Sequence, residues 1–464
     1  MARFLRANLS GGFILDPSVG PGALLAACSR EVSSLGSTFA FEIDRNVLGF
    51  GDESPSIFPS RLITKLRIED FIHADVSERF DAIIANPPYL RHHRIPQRTK
   101  EMCQAISKEV IGTGLDARAG IQVFFLLKAL SVLKSGGRLS FILPSDVVEG
   151  VFAQDLWKGI SSRFRIRGAL TFEDGACAFP GVDTNAFILF LEHSPPLESY
   201  SRLYWSGSDG DELREAIGSW EQGDSSTNQS LRVETRNVVR GVEQGLTRRG
   251  VNAAQEGTPF VDLARVVRGI ATGDNSYFAF TSQRIEETGL SQQLFVRCIG
   301  RTRDLLSPRV DKRLLETLDR KGRETYLLTI DEETPKSRAL SRYIKFGEES
   351  GVSDGALVRA RSTWFAVERR TPPPILFTYL GRRDNRFVAN PAGVVPLTGF
   401  LCVYPKRGVP TQQLLQSLNH QATWECIRDI GKSYGGGAVK VEPGNLRRLI
   451  IPKVALEASG LISR

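Results

Sequence analysis

The chain has 464 residues, 41% of them hydrophobic and 24% charged, a profile ordinary for a globular protein with room for about two or three cored domains. Its net charge of +8 and pI near 9.2 favour an anionic partner. Six scattered cysteines without a CxxC pair and five histidines without HExxH argue against a disulfide framework and a zinc site, and no secretory leader or long apolar span stands out, so a cytoplasmic setting with no membrane partner is expected.

Phe13 to Leu25, reading FILDPSVGPGALL, has the pattern of a strand, a glycine turn and a helix. Gly20 and Gly22 let the backbone approach a ligand closely, and the helix opens with free N–H groups. Ser37 to Glu42 reads as a second strand, ending in an acid about twenty residues beyond the glycines, the interval at which a carboxylate meets ribose hydroxyls. Leu66 to Phe71 is a candidate third strand, delivering Asp70 and Phe71 to an adenine ring. Either acid alone reads as a solvated surface group. In series at strand ends they outline a nucleoside site.

The apolar run Phe80 to Ala85 suits a strand buried on both faces, and Asn86-Pro87-Pro88-Tyr89 ends it abruptly. Pro87 and Pro88 make a rigid turn at a strand's carboxyl end, where open α/β sheets place ligands. The Asn86 amide oxygen and the Pro87 carbonyl can accept hydrogen bonds from an NH2 group, while the Tyr89 ring stacks on a planar one. The combination suits an amine on a flat π-system. Next comes a basic stretch with Arg91, His92, His93, Arg94, Arg98 and Lys100. It competes evenly between a solvated loop and a contact for substrate phosphates.

Ile121 to Leu133 reads as a helix stopped by Lys134-Ser135-Gly136-Gly137, and Arg138 to Pro144 as the next strand. Arg165 to Phe172 and Thr184 to Glu192 supply two more, flanking Ala178-Phe179-Pro180-Gly181. Alternating strands and helices imply one doubly wound, mostly parallel α/β domain over residues 1–193. From 194 to 257 the composition turns to Ser, Gly, Asp, Gln and Asn and reads as a linker with a local helix near Asp211 to Trp220. Residues 258–464 form a second region of short strands with many arginines.

The series DPSVGPG, FEID, EDF, NPPY and AFPGVDTN, in that order, resembles the S-adenosylmethionine-dependent adenine-N6 DNA methyltransferases of restriction–modification systems. The arrangement is similar to their γ order, a class I methyltransferase (Rossmann-like) domain followed by an α+β target-recognition domain. The resemblance implies S-adenosylmethionine as cofactor and double-stranded DNA as partner, a separately encoded restriction endonuclease as cognate, and a monomer. It implies that Asp16, Pro17, Gly20 and Gly22 line the methionine end and that Glu42 takes the ribose hydroxyls. Asp70 would bond the cofactor's adenine amine, with Phe71 beside the ring and Asn86 bordering the site. Asn86, Pro87, Pro88 and Tyr89 would hold the target base, with Phe179 as a second aromatic against it. For DNA contact it points to Arg91, Arg94, Arg268, Thr272 and Asn275 of RGIATGDN, and to Lys432 and Tyr434 of KSYGGG; Arg265 and the Arg382-Arg383 pair are further candidates.

Asn rather than Ser at position 86 disfavours cytosine-N4 methylation. The long basic C-terminal region disfavours the NPPY enzymes that act on RNA or protein. A non-catalytic DNA-binding or specificity protein is the rival of another class, because only about a dozen residues precede the first strand, where such enzymes carry a segment closing over the methionine moiety. Weak cofactor binding by this chain is the corresponding expectation.

Overall fold

The computed structural model describes the chain apart from residues 49–63, 151, 173–185, 225–228, 249–255, 306, 379–386, 435–437, 442 and 463–464. It divides into two compact units, Met1–Gly250 and Val251–Arg464.

The first unit is built on nine strands: β1 (Phe13–Asp16), β2 (Ser37–Glu42), β3 (Lys65–Ile68), β4 (Phe80–Ala85), β5 (Leu133–Pro144), β6 (Arg165–Phe172), β7 (Ala186–Glu192), β8 (Ser199–Trp205) and β9 (Leu231–Asn237). Their order in one sheet is β3-β2-β1-β4-β5-β7-β6-β8-β9. The first five are parallel, β7 runs antiparallel to both β5 and β6, and β9 runs antiparallel to β8. The mostly parallel α/β sheet expected from the alternating pattern is therefore present.

The strands are continuously apolar because both faces of the sheet are covered. In β4, Phe80, Ile83 and Ala85 point into one core and Ala82 and Ile84 into the other. Phe124, Phe125 and Leu127 of the helix Ile121–Ser131 cover the first face; Phe4, Leu25, Ile217 and Trp220 cover the second. The helix stops at Ser131, two residues before the expected end, because Leu133 already pairs with Phe80 in the sheet. Gly136, at φ 76°, sits in a bend within β5 instead of capping the helix.

The stretch 194–257, expected as a linker, carries two strands of the sheet and two helices, Gly210–Glu221 and Val238–Gln244, among its described residues. β8 and β9 pair through seven registered positions, and the helix Gly210–Glu221 packs Ala216, Ile217 and Trp220 into the second-face core. Polar residues dominate this stretch because β9, at the sheet edge, alternates apolar Leu231 and Val233 with charged Arg232 and Glu234. Composition alone does not separate an edge strand from a tether.

The second unit is α+β. One four-stranded antiparallel sheet joins Ala264–Arg268, Phe400–Pro405, Ile375–Thr378 and Phe387–Ala389. Another joins Ala279–Phe280, Tyr326–Leu328, Phe295–Ile299 and Val395–Pro396, the last pair parallel.

Candidate functional site

Between β1 and β4 the strand order reverses, and the loops after β1, β2 and β4 meet at the carboxyl edge of the sheet. Asp16 ends β1 fully buried. Its Oδ1 accepts the Ser18 N–H at 3.1 Å, while its Oδ2 has no hydrogen-bond partner among the described residues. Burial pushes its carboxyl up to about 7, with the Glu42 charge adding to the rise and the Ser18 hydrogen bond opposing it. Gly20 and Gly22 take φ values of 51° and 80°, which side-chain-bearing residues rarely adopt, and among the described residues no atom beyond its own chain neighbours lies within 4 Å of where a Gly20 Cβ would stand. Pro17 is buried beside Asp16.

Glu42 binds this loop. Its Oε2 accepts the Gly20 N–H at 2.9 Å, and its Oε1 accepts those of Ile43 and Asp44 at 2.8 and 3.1 Å. A carboxylate offers about four acceptor positions, so one remains for a ligand hydroxyl. Ile43, next in sequence, is 72% exposed. Asp70 accepts the Ile72 N–H at 2.9 Å and keeps Oδ2 at 3.9 Å from the His73 ring. An orphaned buried carboxylate oxygen, an open glycine turn and two partly open acids fit a nucleoside with a polar amino-acid tail. S-adenosylmethionine is such a molecule.

Phe71 departs from expectation. It is 1% exposed, edge-on to Phe41 at 5.1 Å and tilted against Phe125 at 5.6 Å. Its ring has no open face for an adenine, and it belongs to the core. Phe179 lies outside the described residues.

After β4, Asn86, Pro88 and Tyr89 are exposed and Pro87 is buried. Among the described residues the Asn86 amide and the Pro87 carbonyl make no hydrogen bond, so both acceptors are open. The Tyr89 ring is 41% exposed, yet its phenol lies against enough protein, with the Asp146 carboxylate nearby, to raise its pKa. Leu90 anchors the far end of the turn by accepting the Ile121 N–H at 3.0 Å. Arg91 and Arg94 follow, exposed and without an ion pair among the described residues.

In the second unit the predicted contacts divide. Thr272 is 3% exposed and donates its hydroxyl to Asn275 Oδ1 at 2.5 Å, so it holds a turn and cannot read a base. The Arg361 guanidinium braces the same turn, donating to the Ala271 and Thr272 carbonyls at 2.8 and 2.6 Å. Arg265, Arg268 and Asn275 are exposed. Gly269 and Gly273 of the same segment are required by packing. A Cβ on Gly269 would stand 2.1 Å from the Leu397 carbonyl oxygen, and one on Gly273, at φ 85°, would stand 2.4 Å from Val358. Lys432 and Tyr434 lie in the short strand Lys432–Tyr434; Arg382, Arg383 and Gly435 to Gly437 fall outside the described residues.

Three first-unit residues were not singled out from sequence. Ser18 donates its hydroxyl to the Asn86 carbonyl at 3.1 Å. Lys128 donates to the Ile72 and Ala74 carbonyls at 2.8 and 2.6 Å, holding the loop that carries Asp70. Burial lowers its ammonium to about 8, opposed by the Asp70 charge. A lone cation in the apolar run of Ile121–Ser131 was a legible signal for Lys128. Ile43 offers an exposed apolar surface beside Glu42, for which FEID gave no distinct sign. Among the described residues no helix is long and apolar enough to cross a membrane.

Residues 58–179 match the family described as Eco57I restriction-modification methylase, and residues 243–463 match the C-terminal domain of type II methyltransferase M.Eco57I. The chain is similar to the type II methyltransferase M.AccI of Acinetobacter calcoaceticus, 24% identical over 97% of this chain and 82% of that protein. It is also similar to M.XamI of Xanthomonas campestris pv. amaranthicola, 23% identical over 98% and 83%. The solved structure of the type IIL restriction-modification enzyme MmeI in complex with DNA shares its fold, with a TM-score of 0.59 at 14% identity. That match covers 97% of this chain but 62% of that one.

Proposed function

Because the chain belongs to the Eco57I restriction–modification methylases, we propose that it methylates the exocyclic N6 amine of adenine in duplex DNA, with S-adenosylmethionine as donor. The observation that carries this reading is the Asn86–Tyr89 turn, with an open amide, an open prolyl carbonyl and an exposed ring held beside the glycine loop. The cofactor supplies an electrophilic methyl on a sulfonium.

The chain's own residues supply position and polarity. Asp16, Gly20, Gly22, Glu42 and Asp70 would hold the donor, with Ile43 covering the adenine where Phe71 cannot. An adenine amine is a poor nucleophile because its lone pair is delocalised into the ring. Two acceptors, the Asn86 Oδ1 and the Pro87 carbonyl, would draw its N–H bonds out of the ring plane and direct the lone pair outward. Alignment and fixed dipoles then supply most of the rate. Tyr89 would stack on a base that has left the helix, a step costing a few kcal/mol. Arg91 and Arg94 would meet phosphates beside it, and the second unit would carry target recognition. An endonuclease of the same specificity, encoded separately, is the partner this role calls for.

The test is methylome sequencing of cells expressing the chain, with transfer from labelled S-adenosylmethionine to unmethylated DNA alongside. N6-methyladenine at one fixed sequence is the expected result. Modified cytosine, or label entering RNA or protein instead of DNA, would overturn the assignment.

A further inference from the structure

We propose that Ser18 is a positioning residue that couples the cofactor loop to the grip on the target amine, an inference that rests on reading Asn86–Tyr89 as that grip. The ladder between β1 and β4 consists of Ile14↔Ala82 and Leu15↔Ile83. Past that register the two loops diverge, and among the described residues the Ser18 hydroxyl bonded to the Asn86 carbonyl at 3.1 Å bridges them. Ser18 is itself held on two sides. Its N–H binds the buried Asp16 carboxylate at 3.1 Å, and the next two residues are tied toward β2, Val19 N–H to the Phe41 carbonyl at 3.0 Å and Gly20 N–H to Glu42 at 2.9 Å.

What the strap controls follows from the chemistry of the turn. The Asn86 carbonyl belongs to the peptide bond preceding Pro87, whose ring fixes its own φ near −65°. Pro88 in turn holds ψ of Pro87 to the extended region, so orienting that one peptide plane constrains the direction of the Pro87 carbonyl, and it sets ψ of Asn86 and so the side chain's direction relative to that plane. Both acceptors of the grip turn on the bond that Ser18 makes. A donor seated against Asp16 and the glycines would steady Ser18, and through it the two acceptors. The hydroxyl touches no reacting atom in this scheme; it aligns those that do.

Ser18→Ala removes the bond, and Ser18→Thr keeps the hydroxyl. Three measurements on the full chain decide the matter: amide hydrogen exchange over residues 85–91 without cofactor, calorimetric affinity for S-adenosylmethionine, and single-turnover transfer of labelled methyl to unmethylated genomic DNA. In Ser18→Ala, exchange at 85–91 should quicken while the helix Ile121–Ser131 stays protected. Cofactor affinity should hold within about 2-fold, and the single-turnover rate at saturating cofactor should fall about 10-fold, the scale of one lost hydrogen bond and a small misalignment. Ser18→Thr should restore rate and protection together. Unchanged exchange at 85–91 would overturn the proposal. So would a defect confined to cofactor affinity, or a threonine variant no better than alanine. If the unaltered chain transfers no methyl to DNA, the function proposed above fails, while the exchange comparison still decides whether the strap exists.

Discussion

Asn86 should separate binding from transfer. Its side chain is exposed and its amide has no partner among the described residues, so Asn86→Ala should leave the fold and the donor pocket intact while removing one acceptor at the reacting group. Methyl transfer should fall by about 10²–10³ with cofactor affinity near normal; turnover close to that of the unaltered chain would refute the role. Asp16 makes a prediction about pH. Its carboxyl is raised from 3.8 to about 7, so between those values the folded chain keeps a proton that the unfolded chain has lost. Stability therefore falls as pH rises through that window. Thermal unfolding of the cofactor-free protein should lose less between pH 4 and pH 7 in Asp16→Asn than in the unaltered chain. Equal losses would show that the buried carboxyl does not titrate there. The places of these residues in the fold were legible because the local backbone demands their type: an acid ending a strand, glycines at positive φ, an amide before two prolines. Phe71 and Thr272 were misread for a related reason. An aromatic after an acid, or a threonine in a glycine-rich turn, looks the same in sequence whether it faces a ligand or a neighbouring strand.

At the scale of elements, the RGIATGDN turn shows how a segment can sit near function while its glycines answer to packing. Gly269 lies where a methyl group would strike the Leu397 carbonyl, a backbone atom that cannot swing aside. Gly269→Ala should destabilise the second unit by about 1–3 kcal/mol, as overpacking usually does. Gly444→Ala, with no atom beyond its own segment within 4 Å of the new atom among the described residues, is the control and should melt close to the unaltered chain. Equal melting of the two variants would remove the packing account. The strands of the first unit were readable from their unbroken apolar runs, which both cores of the sheet demand. β8 and β9 were not. Their stretch is rich in small and polar residues, and pairing with a distant strand leaves no mark in local composition. β8 lies beside β6, more than thirty residues earlier in the chain.

For the whole molecule, a net charge of +8 matters through where its unpaired cations stand. Arg91 and Arg94 border the proposed target site and have no ion pair among the described residues. If each neutralises one phosphate, replacing both with alanine should lower the slope of log affinity against log salt by about 1.8, with weaker binding to every DNA sequence tested. An unchanged slope would remove them from the interface. The strand order also sets a timetable for synthesis. β6 is translated before either of its sheet neighbours, β7 and β8, and the edge strand β9 comes last. The second-face core needs Leu203, Trp205 and Trp220 before Phe4, Ile14 and Phe190 are covered. At common elongation rates, the 45 residues from Glu192 to Asn237 take roughly 2 to 9 seconds to emerge. For that interval the nascent chain is expected to present an unpaired strand and an open aromatic cluster to solvent. That is the signature of a client for ribosome-associated chaperones, and it makes yield in a heterologous host depend on translation speed through residues 193–237.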